Sequence, residues 1–242
     1  MSSILVFGGV GGIGEAIARR CRTAGQKVVV TSRRRERAEA LANEIGAMAA
    51  AVDVADESSI RDAVSAASVD GKLDGLVYAV GSIPLKPLAR TSADDMLDAF
   101  RLNVVGALLA VKAAAPALAA AGGAVVLFSS VAARQGFANH AAIASAKAGV
   151  EGLTLSLAAE LAPRVRVNAI APSLTETPLA QPITGNAKMA EAIAGLHPIP
   201  RLGSAEEVAA LAGFLLSPSA GWMTGQVIGV DGGRSTLRTG RS

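Results

Sequence analysis

The glycine-rich run over residues 8–14 (Gly-Gly-Val-Gly-Gly-Ile-Gly) is suited to binding phosphate. It follows a short apolar stretch at residues 4–7 and leads into a segment with helical spacing. Glycine lets backbone N–H groups approach a pyrophosphate closely, and the positive end of the next helix dipole favours the negative charge. Flexible turns are also rich in glycine, but the position between a strand and a helix favours a dinucleotide-binding site.

Side chains after the second and third predicted strands indicate which nucleotide fits. Ser32 lies where an acidic residue would hold the 2′-hydroxyl of the adenosine ribose, and Arg33 and Arg34 follow it. Because arginines bind a 2′-phosphate through charge-assisted hydrogen bonds, they favour NADP over NAD, although they would also suit the exposed start of a helix. Asp53 has two open interpretations: an acceptor for the adenine amino group, or a helix cap poorly spaced from Ser58.

Two side chains able to transfer protons, His140 and Lys147, are seven residues apart. On a helix this spacing is two turns, so both would face the same side. Imidazole can donate a proton at physiological pH, which makes His140 a candidate acid. It would equally suit a helix start that faces solvent or a neighbouring subunit. His197, in a proline-rich stretch, is a weaker candidate for contact with substrate.

The composition excludes several other kinds of protein. Of 242 residues, 51% are hydrophobic, which is enough for a sizeable core and excludes disorder as the main state. One cysteine, Cys21, and two distant histidines leave no internal disulfide and predict no metal site. The net charge is +3 with one dense basic run, at residues 33–37, so we expect no nucleic-acid partner.

No segment predicts attachment to a membrane. The most apolar stretch, residues 104–121, is rich in alanine and is interrupted by Lys112 and Pro116. The N-terminus has no charged region before its short apolar stretch, so we expect no signal peptide. These observations predict a cytoplasmic protein.

Short apolar runs alternate with longer segments of helical periodicity. Such alternation predicts an α/β fold in which a parallel sheet is covered on both faces. The predicted strands are residues 4–7, 27–31, 49–52, 75–79, 124–128, 165–170 and 226–230. The predicted helices are residues 14–24, 35–45, 58–66, 93–119, 142–161 and 205–216. No linker or repeat divides the chain, so we expect one domain, 1–242, with a lid or substrate loop at 178–200, where four prolines occur.

Several motifs along the chain carry a resemblance to one family. They are the GxxxGIG spacing from Gly8 to Gly14 and residues 74–81, 102–106, 128–130, 166–173, 201–203, 206–209, 214–217 and 224–233. Together these resemble the short-chain dehydrogenase/reductase family over essentially the whole chain. Two positions depart from its pattern: Phe7 replaces the usual threonine, and residues 78–81 keep only the last glycine of NNAG.

The resemblance implies a Rossmann-like doubly wound parallel sheet of about seven strands that binds NADP(H). It also implies homodimers or homotetramers formed through the helices at 93–119 and 142–161. Thr177 falls where the family's threonine holds the nicotinamide carboxamide, and Tyr78 would form a wall of the cofactor cleft. The implied cofactor-binding residues are Gly8, Gly9, Gly12, Ile13, Gly14, Ser32, Arg33, Arg34, Asp53, Val54, Ala79, Gly81, Lys147, Pro172, Leu174 and Thr177.

The expected catalytic tyrosine is missing from the chain. The family uses a YxxxK pair in which lysine holds the nicotinamide ribose, tyrosine transfers a proton, and a serine polarises the substrate oxygen. Lys147 and Ser130 match this pattern, and Asn103 matches the family's asparagine, but Ile143 stands in the tyrosine position. In the enoyl reductase branch of the superfamily, the tyrosine stands seven residues before the lysine, where this chain has His140.

We therefore expect an NADP(H)-dependent oxidoreductase with a non-standard proton donor. Its candidate catalytic residues are Ser130, Lys147, Asn103 and His140. Alanines around the site predict a small, largely apolar carbonyl or activated alkene as substrate, without a strong charge near the reacting centre. Two alternatives remain open from the sequence: a non-catalytic NADP(H)-binding sensor or partner subunit, and a lyase or isomerase that uses the same cleft.

Overall fold

Seven strands form one parallel sheet in the computed structural model, which describes residues 2–239. Residues 1 and 240–242 of the predicted domain lie outside the described residues. The sheet order is β3-β2-β1-β4-β5-β6-β7, which confirms the predicted doubly wound fold. The strands are β1 (Ser3–Phe7), β2 (Lys27–Ser32), β3 (Met48–Ala51), β4 (Gly75–Tyr78), β5 (Ala124–Phe128), β6 (Arg166–Pro172) and β7 (Val227–Val230).

Helices cover both faces of this sheet. They include α1 (Gly12–Thr23), α2 (Arg35–Ile45), α3 (Glu57–Ala67), α4 (Ala93–Phe100), α5 (Gly106–Ala121), α6 (Ala141–Leu161) and α9 (Ala205–Leu216). Two further helices, α7 (Gln181–Thr184) and α8 (Ala187–Ala194), lie between β6 and α9. The segment predicted as a loop at 178–200 is therefore partly helical.

Each strand contributes to two cores because its side chains alternate between the faces. In β1, Leu5 and Phe7 belong to the apolar cluster beneath α3, α5 and α6. Ile4 and Val6 belong to the opposite cluster, which includes residues of α1, α2 and α9. Strands buried on both faces are continuously apolar, which is why they are visible in the sequence.

The segment predicted as one helix over 93–119 is not uniform. Between α4 and α5, Arg101–Val105 forms a π-helical turn. A single π-turn changes the phase of a helix and often occurs at functional positions. Here Asn103, within the turn, is buried and donates from Nδ2 to the carbonyl oxygen of Ala99 at 2.9 Å.

The combined stretch Ala93–Ala121 is long and apolar enough to meet the composition test for a membrane span, despite Lys112 and Pro116. One third of its most apolar window is buried inside the protein. Core helices of soluble proteins pass the same test, so the finding is weak evidence for a membrane span. In α5, Ala110, Ala114 and Leu118 pack in the core against the sheet.

Candidate active site

A cavity of about 480 Å³ opens at the carboxyl ends of the central strands. In a doubly wound sheet, ligands bind at the carboxyl edge near the point where the strand order reverses, which here lies between β1 and β4. Predicted site residues that line the cavity are Ile13, Ala79, Gly81, Ser130, His140, Lys147, Pro172, Leu174 and Thr177.

The glycine run forms a tight turn between β1 and α1. Gly8 has φ +73°, and a Cβ at this position would lie 2.8 Å from the carbonyl oxygen of Ala79. A Cβ on Gly14 would overlap the carbonyl oxygen of Gly8. Gly11 precedes α1 without a side-chain cap, so the turn presents backbone N–H groups at the helix N-terminus. This cradle fits a pyrophosphate, which needs close backbone approach and positive potential.

Thr177 closes against the glycine turn from the opposite side. A Cβ on Gly12 would lie 2.7 Å from the Thr177 Cγ2 atom, so only glycine allows this approach. The Thr177 hydroxyl accepts a hydrogen bond from the backbone N–H of Ala180 at 3.3 Å. The beginning of the 178–200 segment is therefore fixed next to the predicted cofactor site.

Lys147 extends from α6 into the cavity. Its Nζ donates to the carbonyl oxygen of Phe128 at 2.8 Å. Burial lowers the pKa of Lys147 to about 8, because desolvation disfavours the ammonium form. A Cβ on Gly81 would lie 3.6 Å from Lys147 Nζ and 3.2 Å from Asn103 Oδ1, so the lysine and the asparagine approach the same point.

Asn103 supplies an orphaned acceptor beside this point. Its Oδ1 is buried and has no hydrogen-bond partner among residues 2–239. Buried polar atoms are usually satisfied by protein, by water or by a ligand. The free oxygen next to Gly81 therefore fits a bridging water or a hydroxyl close to Lys147.

Ser130 and Ile143 line the same cavity. Ser130 Oγ accepts from the backbone N–H of Ala132 at 3.2 Å, so its own O–H is available to donate. Ile143 lies one helical turn before Lys147 and is 4% exposed. A hydrocarbon side chain thus lines the cavity where the family resemblance expects a phenol.

His140 immediately precedes α6 and lines the cavity. Its Nδ1 lies 2.7 Å from the carbonyl oxygen of Ala138, so this nitrogen carries the proton and Nε2 remains available. The ring packs against Phe137 at 5.3 Å between centroids. The structure therefore brings His140 and Lys147 to one cavity, as their spacing predicts.

Residues predicted to contact the adenosine lie at the carboxyl ends of β2 and β3. Ser32 Oγ accepts from the backbone N–H of Arg34 at 3.1 Å. Arg33 and Arg34 are exposed, and neither forms a salt bridge within the described part of the chain. Asp53 Oδ1 accepts from the backbone N–H of Ala55 at 3.0 Å.

The interpretation of Asp53 as a helix cap is wrong. The side chain that caps α3 belongs to Asp56, which accepts from the backbone N–H of Ser58 at 2.9 Å. Asp53 lies one turn too early for that contact and remains exposed at the sheet edge, next to the buried Val54. Its side chain is accessible to a ligand.

The expectation that Tyr78 forms a wall of the cofactor cleft is also wrong. Tyr78 is 2% exposed, and its hydroxyl donates to the carbonyl oxygen of Leu102 at 2.7 Å. The ring packs on Phe7 and under Gly106, where a Cβ would overlap the tyrosine hydroxyl. Burial raises the pKa of Tyr78, so the phenol is a structural group inside the core.

His197 does not line the cavity, contrary to the expectation of substrate contact. It is buried, and its Nε2 lies 2.8 Å from Ser173 Oγ. Its Nδ1 lies 2.9 Å from the carbonyl oxygen of Ile193. Since that carbonyl requires a proton on Nδ1, Nε2 accepts from Ser173. These hydrogen bonds connect α8 to the end of β6. The one sign of them in the sequence is Ser173, which stands where the family's PG pair has glycine.

Sequence reasoning also missed Arg234, which follows β7 and lines the cavity. Its guanidinium lies 5.0 Å above the ring of Phe137. No local pattern distinguishes this arginine from others in the chain, because its position depends on contacts with residues about a hundred positions earlier.

Comparisons with known proteins agree with this geometry. A family model described as enoyl-(acyl carrier protein) reductase matches residues 9–235. The chain is 36% identical over 239 residues to a 3-oxoacyl-(acyl-carrier-protein) reductase from Aquifex aeolicus, covering 95% of each protein. It is 35% identical over 238 residues to carbonyl reductase family member 4 of Danio rerio, covering 96% of this chain and 98% of that protein.

A solved structure has the same fold. It is described as a short-chain type dehydrogenase/reductase from Mycobacterium ulcerans, and it superposes with a TM-score of 0.93 at 33% sequence identity. The match covers 98% of this chain and 90% of that one.

Proposed function

Because this chain belongs to the short-chain dehydrogenase/reductase family, whose members bind nicotinamide cofactors, we propose that it is an NADP(H)-dependent oxidoreductase. The substrate is a small, largely apolar carbonyl or activated alkene, and the proton donor is not a tyrosine. The observation that carries this proposal is the presence of Ser130 and Lys147 in one mostly apolar cavity, with the orphaned Asn103 oxygen beside Gly81 on its wall. The test is oxidation of NADPH, followed by absorbance, with ketones and enones.

The residues that would hold the cofactor extend across the sheet edge. The glycine turn over residues 8–14 receives the pyrophosphate, and Arg33 and Arg34 receive the 2′-phosphate. Asp53 accepts from the adenine amino group, and Thr177 binds the carboxamide. When bound, NADPH supplies the hydride for the reduction. Lys147 holds the nicotinamide ribose.

The chain's own groups orient the acceptor and deliver the proton. Ser130 donates a hydrogen bond to the substrate oxygen and thereby stabilises negative charge as it develops. Lys147, as the ammonium, polarises a water held by Asn103 Oδ1, and this relay brings the proton to the cavity. His140 is the second candidate donor: its ring lines the same cavity, and as the imidazolium it carries a proton on Nε2 while Nδ1–H stays bonded to the Ala138 carbonyl oxygen.

The proposal extends to the assembly and the location of the protein. We infer a cytoplasmic homodimer or homotetramer formed through α4, α5 and α6. The supporting observation is the exposed apolar surface of α4 and the following turn, where Leu97 is 48% exposed and Val105 40%. Small residues along α5 and α6 allow a second copy to approach closely.

NADPH is expected to bind at least about tenfold more tightly than NADH, because the two arginines form charge-assisted contacts with the 2′-phosphate. Replacing both, Arg33→Gln with Arg34→Gln, should remove this preference and leave NADH affinity unchanged. Isothermal titration calorimetry measures both constants. Arg61→Gln removes a charge from α3 as the control. Equal affinity of the unmodified protein for the two cofactors would contradict the NADP assignment.

Turnover is expected to fall as the pH rises through about 8, where Lys147 loses its proton. Burial lowers this pKa from 10.5, so the ammonium is complete at pH 6.5 and mostly lost at pH 9. His140 and Arg234 are the other ionisable side chains on the cavity wall, and no carboxylate lines it in residues 2–239. The profile of kcat/KM against pH measures the effect.

Lys147→Arg tests the assignment of this alkaline limb, since arginine keeps its charge throughout that range. The variant should retain cofactor binding and lose the decline near pH 8. A decline that persists in Lys147→Arg would contradict the role of Lys147. Loss of turnover in His140→Ala at every pH would instead identify His140 as the donor.

A further inference from the structure

Arg234 is held firmly at the edge of the cavity by its backbone. The carbonyl oxygen of Arg234 accepts from Gln135 Nε2 at 2.8 Å, which joins the loop after β7 to the loop after β5. The preceding turn is closed by Asp231, whose carboxylate accepts from the backbone N–H groups of Gly233 and Ser235, each at 2.9 Å. The position of Arg234 is therefore set by contacts on two sides.

The guanidinium of Arg234 has no anionic partner in the described part of the chain. Arg19, Arg35, Arg134 and Arg201 each form a salt bridge with a glutamate at 2.9 Å or less. Arg234 forms none, and it packs instead on the face of Phe137. The nearby Asp231 carboxylate is occupied by its own turn.

This unpaired cation is partly desolvated. Arg234 is half-buried, and burial lowers its pKa. A guanidinium partly removed from water without a counter-ion gains free energy when an anion arrives, because the charge-assisted hydrogen bonds form with a smaller further desolvation cost for the arginine. Contact with the face of Phe137 also restrains the guanidinium at the cavity, and the planar fork of its donors suits bidentate binding of a carboxylate or phosphate.

Most side chains that line the cavity are apolar. They include Ile143, Leu179, Ile183 and Ile193. Among the described residues, no aspartate or glutamate lines the cavity, and its cations are Lys147 and Arg234; His140 also lines it. Lys147 and Ser130 lie at the strand ends, where the reacting group of a ligand would bind. Arg234 is therefore the cation available to a charged group elsewhere on the same ligand.

The 2′-phosphate of the cofactor is not that group. Arg33 and Arg34 follow β2, whereas Arg234 follows β7, and the two strands are five positions apart in the sheet. At about 4.8 Å per strand, the separation is about 24 Å. One phosphate cannot reach both.

We propose that Arg234 binds a negatively charged end group of the substrate, a carboxylate or a phosphate, whose apolar body fills the cavity. The inference rests on the proposed function only in placing the reducible carbonyl beside Ser130. It refines the expected apolar substrate: the reacting centre is uncharged, and the anion lies at the far edge of the cavity.

The binding test uses NADPH-loaded protein and three eight-carbon probes: octanoate, octyl phosphate and octanamide. Calorimetry should show at least one anion binding about 10- to 100-fold more tightly than the amide, as expected for hydrogen bonds between charged groups. The anion that binds more tightly identifies the end group of the substrate as a carboxylate or a phosphate. Arg234→Gln should abolish the preference, and Arg238→Gln, an exposed arginine of the same loop outside this cavity, should retain it. No preference in the unmodified protein, or one that survives in Arg234→Gln, would overturn the proposal.

A turnover test separates the anion site from the proposed activity. For 7-oxooctanoate, Arg234→Gln should lower kcat/KM at least about tenfold, while for its methyl ester the value should stay within about twofold. Equal losses on both ketones would overturn the anion site. If neither ketone is reduced, yet the probe preference depends on Arg234, the anion site stands and the oxidoreductase proposal fails.

Discussion

Ile143→Tyr is expected to raise the rate of ketone reduction by about 10²- to 10⁴-fold, the usual contribution of a positioned general acid. Ile143 lines the cavity together with Ser130 and lies one helical turn before Lys147. A phenol at this position would reach the substrate oxygen, and the neighbouring ammonium would lower the pKa of its hydroxyl. Steady-state kcat/KM with a simple ketone and NADPH measures the gain.

Ile143→Phe is the matched control, because it supplies the same ring without the hydroxyl. If the missing acid limits the reaction, Ile143→Phe gives no gain, and the kcat/KM values of the two variants differ by the full factor of about 10² to 10⁴. Equal rates in both variants, with intact folding by circular dichroism and unchanged NADPH affinity, would contradict the interpretation that Ile143 leaves the acid position empty.

Gly14→Ala is expected to weaken NADPH binding at least about tenfold and to lower the free energy of unfolding by about 1–3 kcal/mol, as overpacking does. The new Cβ would overlap the carbonyl oxygen of Gly8, so the turn must move. Backbone atoms cannot move aside as a flexible side chain would. The turn therefore shifts, and this shift displaces the N–H groups that face the phosphates. Calorimetry and thermal unfolding measure the two effects.

Gly11→Ala provides the comparison within the same turn. Gly11 has φ −91° and ψ 157°, which suit alanine, and its added Cβ would meet the Gly8 carbonyl oxygen at an ordinary 3.4 Å. We expect nearly unchanged cofactor affinity and a small loss of stability. Equal losses of cofactor affinity and stability in Gly11→Ala and Gly14→Ala would contradict the interpretation that Gly14 is needed for close packing against Gly8.

Much of the fold follows from local pattern. Strand β1 is apolar at every position from Ile4 to Phe7 because both of its faces are covered, and the same holds for β5. The glycine run was recognisable because its chemistry is confined to seven consecutive residues. The seven-residue spacing of His140 and Lys147 predicts one side of a helix; His140 lies just before α6, and both line the same cavity.

The features that sequence reasoning missed depend on contacts between distant segments. The Ser173–His197 hydrogen bond joins residues 24 positions apart, and the bond from Gln135 that holds Arg234 spans 99 positions. The π-turn that buries Asn103 interrupts a stretch whose composition is uniformly helical. Local propensity and residue spacing cannot predict these contacts, because the contacts depend on which strands become neighbours in the sheet.

The amino-acid pattern determined the α/β class, the strand and helix segments and the phosphate-binding turn, because each of these depends on interactions among neighbours along the chain. Through the family resemblance it also predicts that Ile143 stands in the position of the family's tyrosine, and Tyr78 is the single tyrosine of the chain. Only the tertiary structure decided where that tyrosine lies and what faces the cavity. Packing buries Tyr78 beneath Gly106, and the order of the strands brings Arg234 to the cavity edge.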